Sequence, residues 1–430
     1  MIKSLLQLLS SSILVVLIGL INTKLVANFF PFEYVGYFGF IKNNAFFLSN
    51  IILLGLNYSF FFIEKDLRND DNYQFESVNK VFNYGKVLCL IIAVILLMIF
   101  SIKWYILRDS VSLLWILALF SGLTLSFSSL MCKRDSVLSK FNKFWIYNIT
   151  LSFFLFITIV SSFFFNDRYY LVVLFIILIS IYILCNVIKI ERIPTYSDLK
   201  VFFKSNISYS KYFQLNLVLS TGFIAIIQSC LVSDANSLSE YNATLTLTSL
   251  LNIISTVVGS YIFPRLVSNS NDKTHLLLYK IVLLSLAFVS FIIALYFDFF
   301  ISLLFKPDFI MFNAAFLFLL DAKIFEITCG ILGYKLSASL DFKRIFTGLF
   351  LYVVPFFIYL ISLDFSFTNV NLTTLCACLM IGWLIRLIYY ININEDVFYK
   401  KILVIIGIIF ILSFQFYWFN YAFKNYFSFI

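Results

Sequence analysis

Charge is scarce in this 430-residue sequence: 12% of its residues are charged and 62% are hydrophobic, where ordinary soluble domains carry roughly 25% and 45–50%. Histidine is scarcer still. The single His275 lies in a polar stretch that reads as a loop, so neither a histidine-based metal site nor a Ser/His or Cys/His nucleophile pair is available within the apolar segments. The seven cysteines (Cys89, Cys132, Cys185, Cys230, Cys329, Cys376 and Cys378) share no repeated spacing, and Cys376-x-Cys378 is not a CxxC pair. They read as small buried hydrophobes, which argues against redox and zinc chemistry. Of five prolines, Pro31, Pro194, Pro264 and Pro307 fall between apolar runs, and Pro355 alone lies inside one, where it predicts a kink.

What remains is a series of long apolar runs. They cover 5 to 29, 35 to 62, 82 to 102, 111 to 131, 144 to 165, 169 to 188, 208 to 231, 241 to 263, 279 to 303, 309 to 334, 345 to 363, 371 to 391 and 402 to 419. Most reach the 17 to 25 residues with which a helix crosses about 30 Å of hydrocarbon, so the sequence reads as an all-α polytopic membrane protein with 12 to 13 transmembrane helices. The first run is too long for a cleaved signal peptide and has no A-x-A-like site after it, so it reads as a retained span. Lys24 followed by Glu33-Tyr34 is echoed by Lys211 followed by Glu240-Tyr241, which suggests two related lobes. The charged, Pro-containing stretch at 189 to 206 reads as their linker. The expected organisation is therefore a six-helix lobe over 1–188, a cytoplasmic linker over 189–206, a second six-helix lobe over 207–392, and an extra transmembrane segment and tail over 393–430.

The excess of basic residues, +9 net, is accounted for by topology. With the N-terminus inside, most of the 31 Lys and Arg fall in cytoplasmic connections, among them Lys65, Arg68, Lys80, Lys86, Lys133, Arg134, Lys189, Arg192, Lys343 and Arg344, while Lys103, Arg108, Arg168, Lys306 and Lys424 fall outside. This is the positive-inside pattern, and it calls for no nucleic-acid partner.

Polar residues within the spans carry more information, because a central charge costs about 2.5 to 3.5 kcal/mol on insertion scales and tends to face a cavity or partner. Asn43, Asn50 and Asn57 recur every seven residues along the second span, with Lys42 and Ser49 beside them. Gln214, Thr221 and Gln228 repeat the spacing in the seventh, three residues after Lys211, and the eighth carries Asn242, Thr246, Ser249, Thr256 and Ser260. Such stripes also serve as ordinary hydrogen-bonded contacts between membrane helices, and Lys24, Lys42 and Lys211 can snorkel to headgroups. The tenth span differs, with Asp321, Lys323 and Glu326. Lys323 and Glu326 are three apart and can pair, which leaves Asp321 on another side as a site for a coupling H+ or Na+, or as the counter-charge of Arg386 or of a lysine from another span.

The segment LVANFFPFEYVGYFGF, with Glu33-Tyr34-Val35-Gly36-Tyr37-Phe38 opening the second span, resembles the oligosaccharide flippases (O-antigen or capsule repeat-unit) of the multidrug/oligosaccharidyl-lipid/polysaccharide exporter superfamily. So do VVGSYIFPRLV, with Gly259, Pro264 and Arg265, and the run KRDSVLSKFNKF. The resemblance implies two six-helix lobes around a central cavity and movement of a polyprenyl-diphosphate-linked oligosaccharide across the bacterial cytoplasmic (inner) membrane by alternating access. No bond is made or broken, there is no catalytic residue and no metal, and no cofactor beyond a coupling ion is needed. Other membrane proteins of polysaccharide assembly are the expected partners. Lys24, Lys42 and Lys211 would meet the diphosphate. Asn43, Asn50, Asn57, Gln214, Thr221, Gln228, Thr246 and Ser249 would meet the glycan, and Asp321 and Glu326 would bind the ion. An ion-coupled multidrug exporter of the same superfamily shares this architecture. A membrane-embedded polymerase would need a charged pair on a long outer loop, and none is evident.

Overall fold

The computed structural model describes residues 19–28, 31–54, 71–107, 110–137, 217–248, 314–338, 341–364 and 370–393, with isolated positions between them. Among the described residues every regular element is a helix. In chain order these are α1 (19–28), α2 (Phe32–Leu53), α3 (Asp71–Leu107), α4 (Ser110–Val137), α5 (Leu217–Leu231), α6 (Ala235–Thr248), α7 (Ala314–Ala338), α8 (Phe342–Ser362) and α9 (Leu372–Ile393). Stretches within α3, α4, α8 and α9 are long and apolar enough to cross a membrane. On α3 the side chains of Ile91, Ile95, Met98 and Ile102 are all exposed, a stripe at helical spacing suited to lipid contact.

The chain divides into two compact units. The first takes in Met1–Thr246 with Val267–Asn269 and Leu304–Phe309; the second takes in Leu247–Leu266, Ser270–Leu303 and Ile310–Ile430. The first unit therefore includes α5, although α5 belongs to the second half of the sequence. The stretches 189–206 and 394–430 lie outside the described residues.

Several helix ends depart from the apolar runs. The run 35 to 62 predicts one long span, but α2 ends at Leu53, where Leu54 takes a left-handed conformation (φ 45°, ψ 32°) and its N–H closes back on the Ile51 carbonyl at 3.3 Å. Conversely, α3 begins at Asp71 in a stretch read as loop, and α4 runs on to Val137 through Lys133 and Arg134. Hydropathy marks where a helix is greasy; backbone hydrogen bonding carries it on through polar residues.

In the first unit α2, α3 and α4 pack on one another. Gly122 lets α4 approach α2 closely, since a Cβ there would stand 2.8 Å from the Ala45 carbonyl oxygen. Beside it Ser126 Oγ donates to Gly122 O (2.8 Å) and meets Ser49 Oγ at 3.0 Å. Trp115 fills the space above, with the rings of Phe40, Phe47 and Phe100 within 5.6–6.4 Å. In the second unit α9 packs against both α7 and α8. Gly382 lies against the Tyr352 backbone, and Gly348 leaves room for the Tyr390 ring. Pro355 sits within α8 as its sequence position requires. The five described cysteines are free, and Cys89, Cys230, Cys329 and Cys376 are buried, in keeping with a packing role.

Candidate functional site

The polar stripes of α2, α5 and α6 meet within the first unit. Gly36 and Gly39 lie one turn apart on α2, and a Cβ at Gly36 would crowd Ser239 Oγ (2.6 Å), while one at Gly39 would collide with the Asn242 side chain. Only hydrogen in place of a side chain permits this approach. Once the helices are that close, the Gly36 N–H donates to Ser239 Oγ (3.0 Å) and Asn242 Nδ2 donates to the Gly36 carbonyl (3.1 Å). The Asn242 Oδ1 atom in turn accepts from Asn43 Nδ2 (3.0 Å) and Gln228 Nε2 (2.8 Å). Gln228 Oε1 accepts from Asn44 Nδ2 (3.1 Å), and further along α2 Asn50 Nδ2 donates to Thr221 Oγ1 (3.3 Å). The bonds that α2 makes join residues 171 to 206 positions apart in sequence.

Of the residues the sequence nominates for the substrate, Asn43 and Gln228 thus belong to one network around Asn242, and Asn50 and Thr221 bond to each other further along α2. Thr246 is half-buried, and its hydroxyl donates to the Asn242 carbonyl within α6 at 2.9 Å. Asn57, Lys211, Gln214 and Ser249 lie outside the described residues. Asn44 and Ser239, both fully buried, are members that the seven-residue spacing passes over. Two signals could have found them: Asn44 directly adjoins Asn43, and Gly36 and Gly39 mark a face of α2 on which another helix can lie.

The lysines behave differently from the amides. Lys24 on α1 is exposed, and Lys42 is half-buried on α2. Lys42 stands ten residues into α2, roughly 15 Å from its start at 1.5 Å per residue, which is close to half the thickness of a hydrocarbon core. Neither lysine has a hydrogen-bond or ion-pair partner among the described residues.

In the second unit α7 carries three charges. Lys323 Nζ and Glu326 Oε2 are 2.8 Å apart, as their spacing predicts. Asp321 is buried and has no hydrogen-bond or ion-pair partner among the described residues. Arg386 on α9 is engaged elsewhere. Its Nε and Nη2 donate to Tyr390 OH (3.3 and 3.0 Å), and its guanidinium lies 5.1 Å and 5.2 Å from the Trp383 and Tyr390 ring centroids. Among the described residues no group of three or more His, Cys, Asp or Glu is placed to hold a metal ion.

No family model matches the sequence, and no curated protein does. Solved structures do. One is a MATE protein in complex with MaD3S, matched with a TM-score of 0.59 and 12% identity over 94% of this chain and 96% of that one. Another is a multidrug resistance MATE family transporter of the MOP superfamily in an outward-facing conformation, with a TM-score of 0.53 and 13% identity over 95% and 96%. At this identity the likeness is one of fold: the chain has the all-helical, two-lobed membrane architecture of these transporters.

Proposed function

We propose that the chain is a membrane transporter that carries polyprenyl-diphosphate-linked oligosaccharide repeat units across the bacterial cytoplasmic membrane for surface-polysaccharide assembly. The observation that carries this reading is Lys42, a cation half-way along α2 with no counter-charge among the described residues. An uncompensated intramembrane cation is costly, and an anionic headgroup such as a diphosphate would neutralise it. Lys24, exposed on α1, adds a second cation, and Lys211 joins them on sequence grounds.

The amide network supports the same reading. A contact made of Asn, Gln, Ser and Thr can be exchanged for water and sugar hydroxyls when helices part, whereas an apolar seam cannot. Alternating access of this kind would release Asn43, Asn50, Thr221 and Gln228 from one another for the glycan, with Asn57, Gln214, Thr246 and Ser249 in the same role. The polyprenyl tail stays in lipid throughout. Asp321 is the coupling site for H+ or Na+, because the charge of Glu326 is already compensated by Lys323.

A second reading, an ion-coupled multidrug exporter, is favoured by the buried Asp321 and by the multidrug MATE transporter among the structural neighbours. The two differ in the sign of their cargo. In cells with matched protein levels, Lys42→Ala should cut surface polysaccharide while Lys42→Arg preserves it, with dye sensitivity unchanged in both. Full polysaccharide display in Lys42→Ala, or new dye sensitivity with intact display, would favour the exporter.

A further inference from the structure

We infer that α7 carries a glycan-binding slot in the second unit; the inference rests on the transport reading above and gives the oligosaccharide a site that the lysines of the first unit do not. From Ala322 to Ser337 most of α7 is buried. The residues left partly open are Lys323, Glu326, Gly330, Gly333 and Tyr334, with Lys335 in the last turn. Apart from Lys335 they recur at intervals of three and four and so share one face. Lys323 to Tyr334 spans about 17 Å at 1.5 Å per residue, room for more than one sugar ring.

This face is not built for lipid. α8, in the same unit, exposes Phe350, Phe357, Ile358 and Ile361, whereas no large hydrophobic side chain of α7 is exposed among the described residues. The open face of α7 offers an ion pair and two glycines instead. At Gly330, which is exposed, an added Cβ would meet nothing within 4 Å; three residues on, a Cβ at Gly333 would find the Tyr390 ring at 3.8 Å. The main chain is thus bare at Gly330 and walled by α9 beyond it, and a bare main chain is what lets a ligand come close to a backbone.

The ion pair supplies the polar contacts. Lys323 Nζ meets Glu326 Oε2 at 2.8 Å, and the two side chains are 13% and 34% exposed. Glu326 Oε1 and the remaining ammonium protons have no other partner among the described residues. A compensated pair does not call for a counter-ion. What it has left to offer is a strong acceptor beside strong donors. Sugar hydroxyls both donate and accept, so neighbouring hydroxyls of an uncharged sugar satisfy the pair while the apolar face of the ring lies on the Gly330 backbone. A cationic drug would find only a carboxylate already shared, and a diphosphate only an ammonium already shared.

The test uses the purified full chain in nanodiscs and, as probe, the free oligosaccharide released by mild acid from the cell's own lipid-linked oligosaccharide. A charged, membrane-impermeant thiosulfonate should modify Gly330→Cys above the level of the parent chain, and the oligosaccharide should slow that modification. Gly330→Leu, whose side chain enters open space, and Glu326→Ala should each weaken oligosaccharide binding by about tenfold or more in calorimetry, while Phe350→Leu on the lipid-facing side of α8 leaves it unchanged. A Gly330→Cys that the reagent does not reach, or reaches equally fast with and without the oligosaccharide, overturns the proposal. So does undiminished binding in both Gly330→Leu and Glu326→Ala, and so does protection by a cationic dye in place of the oligosaccharide. Loss of surface polysaccharide in Lys42→Ala beside an unprotected Gly330→Cys removes the slot and leaves the transport reading standing; protection beside full polysaccharide display in Lys42→Ala does the reverse.

Discussion

Replacing Asn242 by Ala removes the centre of the α2–α5–α6 network. The side chain makes three bonds to other helices: it donates to the Gly36 carbonyl and accepts from Asn43 and Gln228. Hydrogen bonds between membrane helices average about 0.6 kcal/mol, with a maximum near 1.7, so the bonds alone account for about 2 kcal/mol. Gln228 is fully buried, and its amide N–H loses its acceptor, which adds about 1 to 3 kcal/mol for an unsatisfied buried group. Asn242→Ala should therefore destabilise the protein by about 3 to 5 kcal/mol. Asn50→Ala, which loses the long bond to Thr221 (3.3 Å), should cost less, about 0.5 to 1.5 kcal/mol. Reversible unfolding in lipid nanodiscs, read by steric trapping, measures both. Equal, small effects from the two substitutions would refute the claim that Asn242 organises this contact.

Two further outcomes follow from the packing and the charges. Gly122→Ala should cost about 1 to 3 kcal/mol by overpacking α4 against α2, whereas Gly330→Ala, where an added Cβ meets nothing within 4 Å, should be neutral or stabilising by up to about 1 kcal/mol; thermal unfolding compares them. In proteoliposomes Asp321→Asn should leave substrate binding intact but make flux indifferent to an imposed ion gradient, and gradient-driven flux at the wild-type rate would remove Asp321 from coupling.

Much of the helical layout was legible because hydropathy and helical spacing are local properties. The apolar runs locate α3, α4, α8 and α9, Pro355 sits inside α8, and Lys323 pairs with Glu326 on the strength of a three-residue interval. What failed to show depends on the neighbour. The end of α2 at Leu53 occurs inside a continuous apolar run, and apolarity alone cannot mark a residue that turns left-handed. The stripe Asn43, Asn50, Asn57 marked α2 as polar on one side, but which residue meets which is decided across about 200 positions, so Asn44 and Ser239 were hidden. The setting of Lys86 does not show in the sequence for a different reason. The positive-inside rule counts charges by side and is blind to whether a charge reaches water or folds onto Phe82.

Reconstitution is the most direct test of anionic glycolipid transport. Purified protein in liposomes carrying a fluorescent polyprenyl-diphosphate oligosaccharide should move the label between leaflets, as read by its accessibility to a membrane-impermeant quencher, and Lys42→Ala should slow that movement while Lys42→Arg sustains it. Liposomes in which the label stays in its original leaflet while a cationic dye is pumped would contradict the claim.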